Sequence, residues 1–151
     1  MLLYALMSGI LLLVGVRPAL AKPHIDSRAF CLIECSSGQI IYSRQAHQQR
    51  QVASTTKMMT AILARDYCKV NEIATVSKAA SRTPRYVIKL RAGQKLAVEE
   101  LLKASLICSA NDAAVVLAEH CAGDQKLFAH LMSQKAFLIG ASQTHFANAS
   151  G

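Results

Sequence analysis

Apolar residues recur at helical intervals in three consecutive segments, Val98 to Ile107, Asn111 to Cys121 and Gln125 to Ile139, parted by Ser109-Ala110 and Gly123. Helices in succession must bury their apolar stripes on one another, so this part of the chain is predicted to form a helical layer. A further helix is expected from Ser54, where Met58, Met59, Ile62 and Leu63 fall at helical spacing. Ahead of it, Ala29 to Cys35 is strand-like, Ser36-Ser37-Gly38 has turn chemistry, and Ile40-Ile41-Tyr42 resumes a β-prone run, which together predict a β-hairpin. Residues 74–95 carry the breakers Pro84 and Gly93 and read as irregular, with a short strand around Tyr86 to Leu90. With no internal repeat, a hairpin feeding helices indicates an α+β fold.

The first residues are set apart from that fold. Leu2 to Val16 holds no charged residue and is followed by Arg17, Pro18 and Ala19-Leu20-Ala21. The run falls short of the roughly 20 residues of a membrane span and ends on small residues, so residues 1–21 are expected to be a signal peptide cleaved before Lys22. The apolar run is not preceded by Lys or Arg, a departure from the usual pattern. Export to the periplasm or cell envelope follows from this expectation.

The net charge of +8 at pH 7 suits work beside anionic wall polymers or a membrane surface. Scattered basic residues, four Tyr, four Phe and no Trp offer no stacking surface for nucleic acid. Five cysteines, Cys31, Cys35, Cys68, Cys108 and Cys121, form an odd set without a CxxC pair. No bridge can be assigned from their spacing and no metal site is supported, so they are expected to be small buried hydrophobes, with His120-Cys121 a matter of helix packing.

Chemistry is concentrated at two places. Ser54-Thr55-Thr56-Lys57 puts a hydroxyl and an amine on one helical face. A serine attacks a carbonyl if a neutral amine takes its proton, and burial is one way to make a lysine neutral. At a helix start, unpaired N–H groups could also stabilise an oxyanion. Ser54 would equally suit an N-cap, although Lys57 then sets a cation against the positive end of the helix dipole. Downstream, Ser109-Ala110-Asn111-Asp112 joins two predicted helices. Its Ser and Asn could relay a proton and hold a substrate amide, or could simply cap a helix.

Ser-x-x-Lys followed by Ser-x-Asn belongs to the penicillin-binding and serine β-lactamase set. From Ala29 to Gly151 the chain resembles the low-molecular-mass D-alanyl-D-alanine carboxypeptidases, in Ala53–Thr60, Val98–Leu102, Ser109–Ala114 and Thr144–Asn148. The resemblance implies a β-lactamase/transpeptidase-like α+β fold over residues 22–151. It also implies release of the terminal D-alanine of a peptidoglycan stem pentapeptide through an acyl-enzyme, and acylation by β-lactams. Ser54 would be the nucleophile, Lys57 the general base, Ser109 a proton relay and Asn111 the holder of a substrate amide. No cofactor or metal is implied.

The family's third element, Lys-Thr-Gly on a later strand, does not occur in these 151 residues. The domain is therefore expected to lack its later sheet strands, an oxyanion donor and a cation near the catalytic pair, leaving little or no activity. Thr83-Pro84-Arg85-Tyr86-Val87 also stands where the family more often has a Gly/Ser-containing stretch. The rival readings are a class A-like β-lactamase, against which Ala110 speaks because those enzymes usually carry Asp there, and a non-catalytic exported wall-binding remnant.

Overall fold

A computed structural model describes residues 24–151; the expected signal peptide and its cleavage site lie outside the described residues. The chain divides into two units, residues 1–48 and 49–151.

The described part of the first unit is the predicted hairpin. Strands β1 (Phe30–Ile33) and β2 (Ile40–Arg44) pair antiparallel, with a shift in register between Leu32 and Ile33. Glu34 organises the turn, since its carboxylate accepts from the Ser36 and Ser37 backbone N–H groups at 3.0 and 2.7 Å and from both hydroxyls. Those bonds, led by the Ser37 hydroxyl, hold its carboxyl down at about 2. Gly38 adopts φ +71°, the left-handed conformation that closes the loop. Phe30 and Tyr42 pack with ring centroids 4.9 Å apart, and the Arg44 guanidinium lies 5.3 Å over the Phe30 ring.

The second unit contains the predicted helices: α1 (Thr56–Tyr67), α2 (Val98–Ile107), α3 (Asn111–Ala122) and α4 (Gln125–Leu138). Helix α3 is central and packs on the other three, which is why Asp112 through Ala118 are all buried. Its end and the next start follow from adjacent residues. Gly123 takes φ +77° as a left-handed C-cap, and the Asp124 side chain accepts from the Lys126 and Leu127 N–H groups at 2.8 and 3.0 Å. Glu100 reaches back to the Ala97 N–H at 3.0 Å to start α2.

Three expectations need correction. No strand forms around Tyr86 to Leu90; strands β3 (Ile73–Thr75) and β4 (Lys95–Ala97) pair instead, antiparallel. Positive φ at Arg85, Tyr86 and Lys89 breaks an extended run, and the Ile88 and Leu90 N–H groups are taken by a side chain rather than a neighbouring strand. The helix expected from Ser54 starts at Thr56, after a 3-10 turn over Ala53–Thr55. The cysteines are not simply buried hydrophobes. Cys68 and Cys121 form a disulfide between the end of α1 and the last turn of α3, with Cα atoms 6.1 Å apart, whereas Cys31, Cys35 and Cys108 are exposed thiols. Local spacing could not reveal a pair separated by 53 residues.

Reducing this bridge in metal-free buffer is expected to lower the free energy of unfolding by up to about 4 kcal/mol, the chain-entropy value for a loop of that length. Urea unfolding with and without reductant measures the loss, and coincident curves would contradict the bridge.

Candidate active site

Four consecutive residues at the start of α1 face two ways. Ser54 is exposed, whereas Lys57, one turn on, is only 1% exposed. The Lys57 Nζ lies 3.4 Å from the Ser54 Oγ, 3.3 Å from the Ser109 Oγ and 2.9 Å from the Ser150 carbonyl oxygen. No carboxylate is among its partners in the described residues. Burial without a neutralising anion disfavours the ammonium and holds Lys57 below its usual 10.5. The partners suit either protonation state. Ser150 supplies an acceptor in both, and each serine hydroxyl can accept from the ammonium or donate to a neutral amine.

The backbone is bent to bring these groups together. Ala53 has φ +44° and Ser109 φ +54°, conformations that non-glycine residues adopt at a cost. Ser54 is not a helix cap, since no side-chain cap bond is made at either the 3-10 turn or α1. The expectation of free helix-start donors is only partly met. The Thr55 and Thr56 N–H groups are already bonded to the Val52 and Ala53 carbonyls.

The segment 148–151 closes the third side. The Asn148 Oδ1 accepts from the Ser150 and Gly151 N–H groups at 2.9 and 2.6 Å, and the tight turn presents the Ser150 carbonyl to Lys57. Thr60, fully buried one turn beyond Lys57, donates to the Ala149 carbonyl at 2.7 Å. A Cβ on Gly151 would collide with the Ala53 carbonyl, so only glycine permits this approach. Sequence reasoning missed Thr60 and the Ser150 carbonyl. The spacing of Thr60 from Lys57 was a usable signal, but a backbone carbonyl leaves none.

Asn111 is placed differently from the other three candidates. It opens α3, its Nδ2 donates to the Arg85 carbonyl at 3.2 Å, and its backbone N–H donates to the Tyr86 carbonyl at 2.7 Å. Next to it, buried Asp112 accepts from the Leu90 and Ile88 N–H groups at 3.0 and 3.3 Å. Residues 109–112 therefore contribute a hydroxyl to the lysine and anchor the irregular segment 85–90. Asp112 anchors the loop and, in the first turn of α3, also accepts from the Ala113 N–H at 3.0 Å.

Comparison with known proteins gives one answer. Residues 17–151 match the family described as D-alanyl-D-alanine carboxypeptidase. The D-alanyl-D-alanine carboxypeptidase DacF of Bacillus subtilis is 32% identical over 99% of this chain, and DacC of Escherichia coli is 32% identical over 85%. The chain spans 42% and 35% of their lengths. Among solved structures, DacD from Francisella tularensis superposes with TM-score 0.82 at 32% identity, covering 90% of this chain and 34% of that one. Penicillin binding protein 6B from Escherichia coli gives 0.78 at 30%, covering 85% and 44%. The fold is thus part of the α+β, transpeptidase-like architecture of these proteins.

Two outcomes follow from the geometry. Asp112→Ala leaves two loop N–H groups without their acceptor and is expected to cost at least about 2 kcal/mol of stability and to open residues 85–91 to proteolysis. Thermal unfolding and limited proteolysis check both, and an unchanged melting temperature contradicts the anchor. For Lys57, the folded-state value lies below the unfolded 10.5, so between the two values the unfolded chain binds more protons. Stability from this group is complete above 10.5 and is lost as pH falls through the folded value. From neutral pH to 10.5 the unfolding free energy of the chain should rise relative to that of Lys57→Met; a constant offset between the two contradicts it.

Proposed function

Because this chain belongs to the D-alanyl-D-alanine carboxypeptidase family, we propose that it carries the acylating centre of a serine peptidase that removes the terminal D-alanine of peptidoglycan stem pentapeptides. One observation supports this reading above the others: the buried amine of Lys57 sits within reach of two serine hydroxyls and has a lowered proton affinity. In this reading neutral Lys57 takes the Ser54 proton as the Ser54 Oγ attacks the carbonyl of the penultimate D-alanine. The proton passes through the Ser109 hydroxyl to the departing amine, the C–N bond breaks, and terminal D-alanine leaves. Water then hydrolyses the ester, returning Ser54 and the stem tetrapeptide. Asn111 has its Nδ2 occupied by the Arg85 carbonyl, so its Oδ1 end is assigned to the substrate amide N–H. The chemistry requires no cofactor. β-Lactams would form the same ester on Ser54.

The same reading makes the protein an exported one of the periplasm or cell envelope, with residues 1–21 as its signal peptide. Its charge of +8 would favour anionic wall polymers and lipid headgroups. The 151-residue chain alone is assigned little hydrolytic activity, because the oxyanion donor expected from a Lys-Thr-Gly strand is not in it; one such donor is worth about 3 kcal/mol, or roughly a hundredfold in rate.

The test is penicillin labelling followed by intact-mass analysis. It compares the chain alone, the chain joined to the C-terminal remainder of a relative, and the Ser54→Ala form of each. The joined protein should gain one penicilloyl adduct that Ser54→Ala abolishes and Lys57→Ala slows by roughly a hundredfold or more. A long-lived adduct fits the carboxypeptidase, and rapid β-lactam turnover fits the lactamase. Labelling that persists in Ser54→Ala refutes the assignment.

A further inference from the structure

The cross-link at the far ends of α1 and α3 has two more groups beside it. Glu72, four residues after Cys68, places its Oε2 3.2 Å from the Nε2 of His120, the residue before Cys121. One ligand atom from each of Cys68, Glu72 and His120 lies within 4.8 Å of the others, and the Cys121 sulfur is bonded to that of Cys68. Two sulfurs, an imidazole nitrogen and a carboxylate oxygen are the donor set of a tetrahedral zinc site, whose ligand atoms stand about 3.3–3.8 Å apart. The Glu72–His120 separation is already close to that spacing.

The carboxylate is oriented as an outer-shell partner would orient it. The Lys69 backbone N–H donates to the Glu72 Oε1 at 2.9 Å, leaving Oε2 turned toward His120.

We propose that Cys68, Cys121, His120 and Glu72 form a redox-gated site for a thiophilic divalent cation, zinc above all, which is closed as a disulfide when oxidised and binds metal when reduced. Opening consumes two electrons and two protons from a dithiol, which becomes a disulfide as Cys68 and Cys121 become thiols. Metal binding then releases both thiol protons to solvent while the two sulfurs move apart by about 1.7 Å. The metal cross-links the same two helix ends as the disulfide, so the unit remains tied in either redox state. Serine catalysis takes no part in this site.

The test uses the full chain with Cys31→Ser, Cys35→Ser and Cys108→Ser, which removes the exposed thiols. Half is kept oxidised and half is reduced with a phosphine, which takes up the oxygen of water as the disulfide opens. Each form is titrated with zinc against a chromophoric chelator, and with cobalt to read thiolate-to-metal charge transfer. The reduced form should take up one equivalent with that charge-transfer band and bind more than about tenfold tighter than the oxidised form. His120→Ala should weaken it by more than about a hundredfold, beyond the roughly 10–100-fold that the loss of an outer-shell partner costs. Equal affinity in the two redox states, or no effect of His120→Ala, overturns the proposal. Far-UV circular dichroism accompanies each titration. A reduced chain that loses its helical signal and does not regain it with zinc overturns the proposal too.

Discussion

A lysine amine taken out of water is the constraint around which the helical unit is arranged. An unpaired ammonium at such a depth is costly, and the usual remedy is a carboxylate partner, which would keep the amine charged. Here the partners are two hydroxyls and a backbone carbonyl, which satisfy the amine in either protonation state. Three separate stretches must meet to provide them. The 3-10 turn brings Ser54, the link before α3 brings Ser109, and the turn at 148–151 brings Ser150. The positive φ values at Ala53 and Ser109 are conformational costs of that meeting, and the packing of α1, α3 and α4 is what sustains them.

Helix α3 carries most of this organisation. Because its Asp112–Ala118 run is buried, the position of its first turn is fixed by packing on three neighbours. Ser109, Asn111 and Asp112 then project from a rigid base. Their roles diverge within four residues: one hydroxyl faces the lysine, while the amide and the carboxylate hold the loop from 85 to 90 in place of a strand. A single buried carboxylate satisfying two loop N–H groups explains how an irregular segment can flank the site without a sheet ladder behind it.

What the sequence made legible was whatever is local in cause. The hairpin, three of the four helix spans and the break at Gly123 follow from periodicity and turn residues, and each lies where its residues indicate. The Ser54–Lys57 pair was legible because one turn of helix enforces its proximity, and Ser109 because its motif is short and distinctive. Misreadings arose where a distant group decides the outcome. Tyr86 to Leu90 is β-prone by composition, but Asp112 captures its N–H groups, and the pairing of β3 with β4 rests on short strands with little periodicity to detect. The Cys68–Cys121 bridge and the Ser150 carbonyl are likewise products of tertiary packing, one between helices and the other through a backbone atom common to every residue.

The cross-link and the candidate site occupy opposite ends of the same two helices. Ser54 and Lys57 lie at the start of α1 and Ser109 and Asn111 at the start of α3, whereas Cys68 and Cys121 lie at their ends. The two helices have 12 residues each and therefore run side by side in the same direction for about 18 Å. Helices of that length behave as rods, so tying their far ends limits how far one can slide along the other at the near ends. The proposed proton transfer between Lys57 and two serines would depend on contacts of 3.3–3.4 Å and would fail with small slips in register. A distant covalent tie can thus preserve the spacing of Ser54, Lys57 and Ser109 without touching any of them.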